Sequence, residues 1–146
     1  MRAVVTRVAS ASVAIDGKTE GAIGKGYLIL LGVGPDDTEE ICDKLAEKIC
    51  NLRVFEDENG KMNLNLEQVG GEILVVSQFT LYADTSSRRP GFSGAAKPEK
   101  AVPLYERFMD RCRGRGFHVE HGIFGADMQV QSVNDGPVTI LYDTEK

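Results

Sequence analysis

The sequence predicts an α+β fold, in which a large, mostly antiparallel β-sheet or partial barrel is accompanied by two helices. Short apolar stretches with a two-residue alternation, separated by glycine-containing turns, indicate strands. Two longer segments carry apolar residues at helical spacing. No repeat, linker or low-complexity tract interrupts the 146 residues, so 1–146 are expected to form a single domain.

The predicted strands begin at the N-terminus. Residues 1–15 are predicted to form two strands, followed by a hairpin turn at Asp16-Gly17. The uninterrupted apolar run at 27–33 predicts a strand that is covered on both faces. Asn134-Asp135-Gly136-Pro137 is a strong turn or kink signal, which is expected to separate the last two strands. The other strands are expected at 53–55, 62–66, 72–77, 118–121, 128–133 and 138–142.

Two amphipathic helices are predicted, at 38–51 and 98–113. Asp37 is expected to cap the first helix, with Glu40 three residues later in a capping-box pattern. Pro103 is expected to kink the second helix because proline lacks an N–H group. Residues 83–97 are rich in Ser, Arg, Gly and Pro and are predicted to form a surface loop.

Composition limits the possible environments. The longest apolar run is strand-sized, whereas a membrane span needs about 20 apolar residues. The N-terminus shows no leader pattern, and Cys42, Cys50 and Cys112 lack the spacing of a disulfide framework, so a cytosolic protein with reduced thiols is expected. A net charge of −5 argues against broad nucleic-acid binding but allows a small, local contact with the tip of an RNA.

Few side chains could supply metal or nucleophilic chemistry. His118 and His121 are the only histidines, and their spacing places them on opposite faces of a strand, so no metal site is predicted. Thr80 follows a strand end, where functional groups often lie, but no base is near it in sequence. One alternative is nevertheless a small-molecule hydrolase that uses Thr80 with His118 or His121.

Two segments together are more specific. SQFTLYAD at 77–84 and NDGPVT at 134–139 resemble the two signature motifs of the D-aminoacyl-tRNA deacylases. Segments 2–8, 60–65, 89–92 and 126–130 also resemble that family, in the same order, so the resemblance covers essentially the whole chain. Tyr82 is bulkier than the small residue often found at its position, and the loop at 86–89 differs from other members.

The resemblance implies a fold like that of the family and a homodimer that hydrolyses D-aminoacyl-tRNA without metal or cofactor. It implies that the Gly136-Pro137 bond is cis and that one subunit inserts this dipeptide into the active site of the other, with Arg7 bracing it. Such a wall would reject L side chains by exclusion. Glycine has no side chain to exclude, so glycyl-tRNA is expected to be hydrolysed as well.

The resemblance also indicates which residues form the side of the active site opposite the Gly136-Pro137 dipeptide. Backbone N–H groups of Gln78, Phe79 and Thr80 are expected to face the ester carbonyl and stabilise the oxyanion. Ser77, Phe79 and Met128 are expected to contact the amino acid or the 3′-terminal adenosine of the tRNA. Thr80 has been considered a nucleophile in this family; we expect it to position groups, while a ribose hydroxyl of the tRNA activates or positions water. The second alternative is a non-enzymatic RNA-binding module.

Overall fold

A computed structural model describes residues 1–146 and contains eight strands, two α-helices and one short 3-10 helix. The strands are β1 Arg2–Ile15, β2 Lys18–Ile23, β3 Gly26–Gly32, β4 Phe55–Glu56, β5 Met62–Leu64, β6 Glu72–Ser77, β7 Val119–His121 and β8 Gln129–Asp143. The helices are α1 Glu39–Cys50 and α2 Pro98–Gly114, and the 3-10 helix is Phe79–Tyr82. Neither α-helix is long and apolar enough to cross a membrane.

Six strands form one curled sheet. Its order is β2-β1-β3-β6-β7, and β8 pairs with β1 over almost the whole length of β1. The three pairings of β1 are antiparallel, whereas β3–β6 and β6–β7 are parallel. The ends of the sheet approach each other, because a Cβ on Gly21 of β2 would lie 3.0 Å from the carbonyl oxygen of His121 in β7. The expected α+β partial barrel is therefore confirmed.

The central strands are apolar on both faces, as their sequences predict. Along β6, Ile73 and Val75 join the main core beneath the helices, whereas Leu74 and Val76 join a smaller apolar cluster on the opposite face. Both helices cover the main core, and Arg107 of α2 bridges to Asp43 of α1 through two hydrogen bonds of 2.8 Å. This two-sided burial holds the carboxyl ends of β3 and β6 rigidly.

Two strand predictions at the ends of the chain were wrong. The N-terminal segment is one long strand, and β8 runs without interruption through Gly136 and Pro137. The physical reason is that β1 and β8 pair over almost their whole lengths. A residue that matches no partner is accommodated as a bulge, and the ladder resumes beyond it.

Smaller differences concern caps and boundaries. Thr38, rather than Asp37, caps α1, and its hydroxyl accepts a hydrogen bond from Ile41. The carboxylate of Asp37 instead accepts hydrogen bonds from the Met1 ammonium and from the N–H of Gly34. The strand expected at 53–55 lies at Phe55–Glu56. Helix α2 continues through Pro103. Because proline lacks an N–H group, the helix loses one backbone hydrogen bond there, and that bond would have run to a carbonyl in the first turn.

Candidate active site

The segment after β6 leaves the sheet beside the end of β3. Leu31 of β3 pairs with Ser77 of β6, and the Leu31 carbonyl then accepts a hydrogen bond of 2.8 Å from the N–H of Gln78. Gly32 permits this close approach, because a Cβ there would lie 3.0 Å from the Gln78 carbonyl oxygen. From Phe79 the chain forms the 3-10 helix, whose Leu81 carbonyl is held by the Arg2 guanidinium at 2.8 Å.

These bonds determine which backbone donors remain free. The expectation that the N–H of Gln78 faces the substrate was wrong, because Leu31 already occupies that donor. The N–H groups of Phe79 and Thr80 begin the 3-10 helix, where no earlier carbonyl within the helix can accept them. Neither donates a hydrogen bond elsewhere in the chain. Two adjacent backbone N–H groups, those of Phe79 and Thr80, are thus available as donors at the exposed end of the SQFT segment.

A cavity of about 270 Å³ opens next to these donors. The predicted residues Ser77, Gln78, Phe79 and Met128 all line it, but Thr80 does not. Its other walls are largely apolar and come from β3, β6, α2 and the chain before and within β8: Leu31, Val33, Val76, Ala96, Ala101, Tyr105, Phe124, Gly125, Ala126 and Val130. An apolar cavity with a few polar groups at its edge suits a planar ring or a side chain.

The walls of the cavity are fixed by specific contacts. The Tyr105 hydroxyl donates a hydrogen bond of 3.0 Å to the Val75 carbonyl, and the Phe124 ring meets the Tyr105 ring edge to face. Burial raises the pKa of Tyr105 to about 12, so the phenol stays protonated as a donor. Phe79 is 53% exposed and packs edge to face on Phe92, with the ring centroids 5.2 Å apart.

Thr80 is exposed, and its hydroxyl is hydrogen-bonded to the Gln78 side-chain amide. No hydrogen bond joins it to a histidine. His118 directly precedes Val119, the first residue of β7, which pairs with Ile73 near the start of β6. Roughly five strand residues, about 16 Å, therefore separate the level of His118 from Ser77 at the end of β6. His121 makes its own contact, of 2.6 Å, with the carbonyl oxygen of Gly122. This geometry disfavours the Thr80–histidine alternative.

Arg7 and the Gly136-Pro137 dipeptide form a second locus. On β1, Thr6 pairs with Thr139 and Val8 with Asn134, so residues 135–138 bulge outward over Arg7. The Arg7 side chain is 5% exposed, and its Nε donates to the Asp135 carbonyl at 2.9 Å while Nη1 donates to the Val54 carbonyl at 2.6 Å. Gly136 is required here, since a Cβ would lie 2.9 Å from Arg7 Nη2. The Gly136-Pro137 bond is cis, as expected.

The two loci lie at different positions along the β1–β8 pair. Gln129, next to Met128, pairs with Ala14, while the dipeptide bulges at Arg7. Seven residues of β1 separate these two positions along the strand. The structure therefore brings Ser77, Gln78, Phe79 and Met128 together, with Thr80 beside them, and leaves Arg7, Gly136 and Pro137 at a separate place on the same strand pair.

Several residues that line or support the cavity could not be recognised as such from the sequence. Tyr105 and Phe124 line the cavity, but the sequence places Tyr105 only on the apolar face of a helix and Phe124 in no predicted element. The sequence places Arg2 only in a strand, although its side chain anchors the 3-10 helix. The partial signal was the pair of aromatic residues Phe79 and Phe92, each in a polar surface segment. No group of three or more His, Cys, Asp or Glu side chains is arranged to hold a metal ion.

Comparison with known proteins shows the family of the chain. Residues 4–143 match the family model described as D-Tyr-tRNA(Tyr) deacylase. The chain belongs to that family. It is 57% identical to the D-aminoacyl-tRNA deacylase of Symbiobacterium thermophilum, over 100% of this chain and 97% of that protein. It is 61% identical to the protein of the same name from Shewanella baltica, over 95% of this chain and 97% of that one.

Solved structures share the fold of this deacylase-family chain. A protein described as c-Myc DNA unwinding element binding protein superposes with a TM-score of 0.91 and 42% identity, over 98% of both chains. A probable eukaryotic D-amino acid tRNA deacylase superposes with a TM-score of 0.85 over 97% of both chains. Its identity is only 17%, so this second likeness concerns the fold alone.

Proposed function

We propose that the chain hydrolyses the ester bond of D-aminoacyl-tRNA, releasing the free D-amino acid and the tRNA, and thereby removes D-amino acids before translation uses them. The observation that carries the proposal is the pair of unpartnered N–H groups of Phe79 and Thr80 beside the apolar cavity. The family and its named relatives supply the substrate class. The reaction takes place where charged tRNA is found, in the cytoplasm.

The two N–H groups act as an oxyanion hole. When water adds to the ester carbonyl, negative charge develops on its oxygen, and donors already aimed at that position lower the barrier. Arg2 keeps them in place, because its bond to the Leu81 carbonyl fixes the far end of the short helix. No metal is needed for this stabilisation.

Water is the nucleophile in this mechanism. Thr80 has no base beside it, and its hydroxyl is engaged by the Gln78 amide, so it positions groups near the ester. The free ribose hydroxyl of the terminal adenosine lies next to the ester in the substrate itself. That hydroxyl activates or orients the attacking water.

The cavity holds one ring-sized group of the substrate, either the terminal adenine or the amino-acid side chain. Its volume, about 270 Å³, is at the small end for ligand sites and suits only part of an aminoacyl-adenosine. Phe79 and Met128 supply apolar contact, while Ser77 and Gln78 supply polar groups at the rim.

The active form is a homodimer in which the partner supplies the Gly136-Pro137 wall. Every residue of β8 from 129 to 137 is exposed, including Val133 at 59%, and the edge of β8 away from β1 has no partner strand. Stable proteins usually cover such an edge, because its unpaired backbone N–H and C=O groups can pair with another chain. A second copy is the natural cover because homodimers with twofold symmetry are common.

The positions along β8 support this arrangement. If two β8 strands lie antiparallel about a twofold axis near Ser132 and Val133, Gly136 and Pro137 of one copy face Met128 of the other. The separation of seven residues along β1 within one chain is thereby bridged between chains. The dipeptide then closes the partner's site and excludes an L side chain, whereas a D side chain points away from it. Glycyl-tRNA passes the same filter.

Parallel deacylation of D-tyrosyl-tRNA and L-tyrosyl-tRNA by purified, EDTA-treated protein tests the proposal. We expect rapid loss of the D ester, with the L ester spared. Loss of neither ester, combined with retained tRNA binding, would instead indicate a non-enzymatic RNA-binding module. Equal loss of both would contradict the chiral wall. Activity that disappears when His118 and His121 are both replaced by alanine would favour the Thr80–histidine hydrolase.

A further inference from the structure

We propose that Arg88 and Arg89 form a phosphate-binding patch that grips the 3′-terminal backbone of the tRNA next to the ester. This inference rests on the proposed deacylase function and assigns its contact with RNA. The chain carries nine arginines. Seven of them make a side-chain hydrogen bond or ion pair: Arg2, Arg7, Arg53, Arg107, Arg111, Arg113 and Arg115. Arg88 and Arg89 make none and are exposed.

The loop that carries these two arginines is built to hold them in place. Its base is closed by Asp84 and Gly91, each of which donates a backbone hydrogen bond to the other, at 2.8 and 2.9 Å. The Asp84 carboxylate accepts the N–H of Ser86 at 2.9 Å, and the Ser87 hydroxyl donates to the Arg89 carbonyl at 2.8 Å. The loop is thus an ordered projection with two free guanidinium groups near its tip.

The loop is also joined to the active site. Phe92, which directly follows the closing pair, packs on Phe79 at the mouth of the cavity. Arg89 is three residues before Phe92, a backbone span of at most about 11 Å. The patch therefore lies within reach of the nucleotides that precede a terminal adenosine whose ester is bound at Phe79 and Thr80.

The distribution of charge around this loop indicates which ligand Arg88 and Arg89 bind. The chain has a net charge of −5, which repels RNA at long range, so any attraction must be local. Residues 85–98 contain Arg88, Arg89 and Lys97 and no acidic residue. Arginine binds phosphate through paired N–H groups, and the proposed substrate presents phosphodiesters next to its reacting end. The patch thus binds backbone and is indifferent to base sequence.

The test compares two substrates that carry the same ester. One is D-tyrosyl-tRNA, and the other is 3′-O-(D-tyrosyl)adenosine, which has no phosphate. Arg88→Gln/Arg89→Gln should raise KM for the tRNA ester and leave kcat/KM for the nucleoside ester unchanged. The matched control is Lys25→Gln/Lys48→Gln, which removes the same charge at the other end of the sheet, where Lys25 precedes β3 and Lys48 lies in the last turn of α1.

Salt dependence gives a second readout that does not rely on the variant alone. Two phosphate contacts to a single strand contribute a slope of about −1.4 in a plot of log kcat/KM against log salt. Between 50 and 200 mM salt, kcat/KM of the wild type for D-tyrosyl-tRNA should fall about sevenfold more than kcat/KM of the double variant. The nucleoside ester should show no such difference.

The outcomes separate the patch from the deacylase proposal. If the wild type cleaves neither ester, the deacylase function fails. If it cleaves both and the double variant matches it on tRNA at every salt concentration, the patch is refuted. An equal loss on both esters would also refute it, because the loop would then act through the Phe79 wall rather than through phosphate.

Discussion

Arg7 Nε donates a hydrogen bond of 2.9 Å to the carbonyl oxygen of Asp135, the residue before Gly136-Pro137. The same buried guanidinium bonds to the Val54 carbonyl, so one side chain links the outward bulge of β8 to the segment after α1. The dipeptide is therefore exposed but not free to move independently of the core. This is the arrangement expected of a rigid wall presented to another molecule.

Replacing Arg7 should impair both catalysis and stability. Arg7→Met fills similar space but leaves the carbonyls of Val54 and Asp135 without a donor, so we expect a loss of about 1–3 kcal/mol in unfolding free energy. A displaced dipeptide should lower kcat/KM for D-tyrosyl-tRNA about a hundredfold. Urea denaturation and initial rates measure the two effects. Arg113→Met, which removes only an exposed pair with Asp110, is the control, and equal activities of the two variants would contradict the role of Arg7.

Thr80→Val distinguishes positioning from nucleophilic attack. If Thr80 only positions groups, loss of its hydroxyl should slow deacylation by no more than about tenfold, whereas loss of a nucleophile typically costs more than about 10⁴-fold. Single-turnover rates with D-tyrosyl-tRNA measure this, and Thr80→Ser retains the hydroxyl as a control. An acyl-enzyme detected on Thr80 by mass spectrometry would show that the water mechanism is wrong.

A charge at the centre of the exposed part of β8 should separate the proposed dimer. Val133→Glu places two carboxylates next to a twofold axis, so we expect a folded monomer by light scattering after gel filtration, together with loss of deacylase activity. Thr19→Glu, at an exposed position of β2, should remain a dimer. A fully active Val133→Glu monomer would rule out a site completed in trans.

Mixing variants tests the shared site directly. Gly136→Val introduces a side chain against Arg7 and spoils the donated wall, whereas Ala126→Trp fills the cavity. Each homodimer should be inactive. A heterodimer has one site with both defects and one site with neither, so activity should return when the two proteins are unfolded and refolded together.

Much of the fold follows from local sequence. The continuous apolar runs of β3 and β6 predict burial on both faces, and the spacing of apolar residues in α1 predicts its buried side. The path of β8 through Gly136-Pro137 could not be predicted, because turn chemistry alone indicates a break there. Pairing with β1 and the bonds from Arg7 override that local preference.

The active site, like the fold, could be predicted only in part from local sequence. The SQFT and Gly136-Pro137 segments could be found by resemblance, but the donors that remain free depend on distant partners. The N–H of Gln78 is unavailable because Leu31, on another strand, accepts it, and no pattern near Gln78 reveals this. Likewise, Arg2 reaches Leu81 across the fold, so its contribution appears only in three dimensions.

The pair of Asp43 and Arg107 predicts a specific pH dependence of stability. The hydrogen bonds from Arg107 hold the pKa of Asp43 below its ordinary value of 3.8. A lowered pKa in the folded state means that the stabilisation is complete above pH 3.8 and is lost as the pH falls through the folded pKa. Asp43→Asn should therefore destabilise the protein at pH 7, by about 1 kcal/mol for this partly exposed pair.

Urea denaturation of wild type and Asp43→Asn at several pH values measures that dependence. The difference in unfolding free energy should be constant from pH 7 to about pH 5 and shrink below pH 4. Lys44→Gln, which removes an exposed pair with Glu40 on α1, serves as a control with a smaller effect at pH 7. A difference that grows on acidification would have the wrong sign and would exclude this account.

Glycyl-tRNA provides the sharpest test of how chirality is selected, because D-alanyl-, glycyl- and L-alanyl-tRNA differ by a single methyl group and its position. A wall that acts only by exclusion gives the D methyl no favourable contact, so the glycyl ester should be cleaved within about tenfold of the rate for the D-alanyl ester. In the proposed dimer the L methyl points at the partner's dipeptide, so the L-alanyl ester should resist hydrolysis. A site that instead recognises the D methyl would cleave glycyl-tRNA about 10- to 200-fold more slowly. Rates of deacylation for the three esters, measured on one tRNA, decide between exclusion and recognition, and a glycyl ester as resistant as the L ester would leave no place for the wall formed by Gly136 and Pro137.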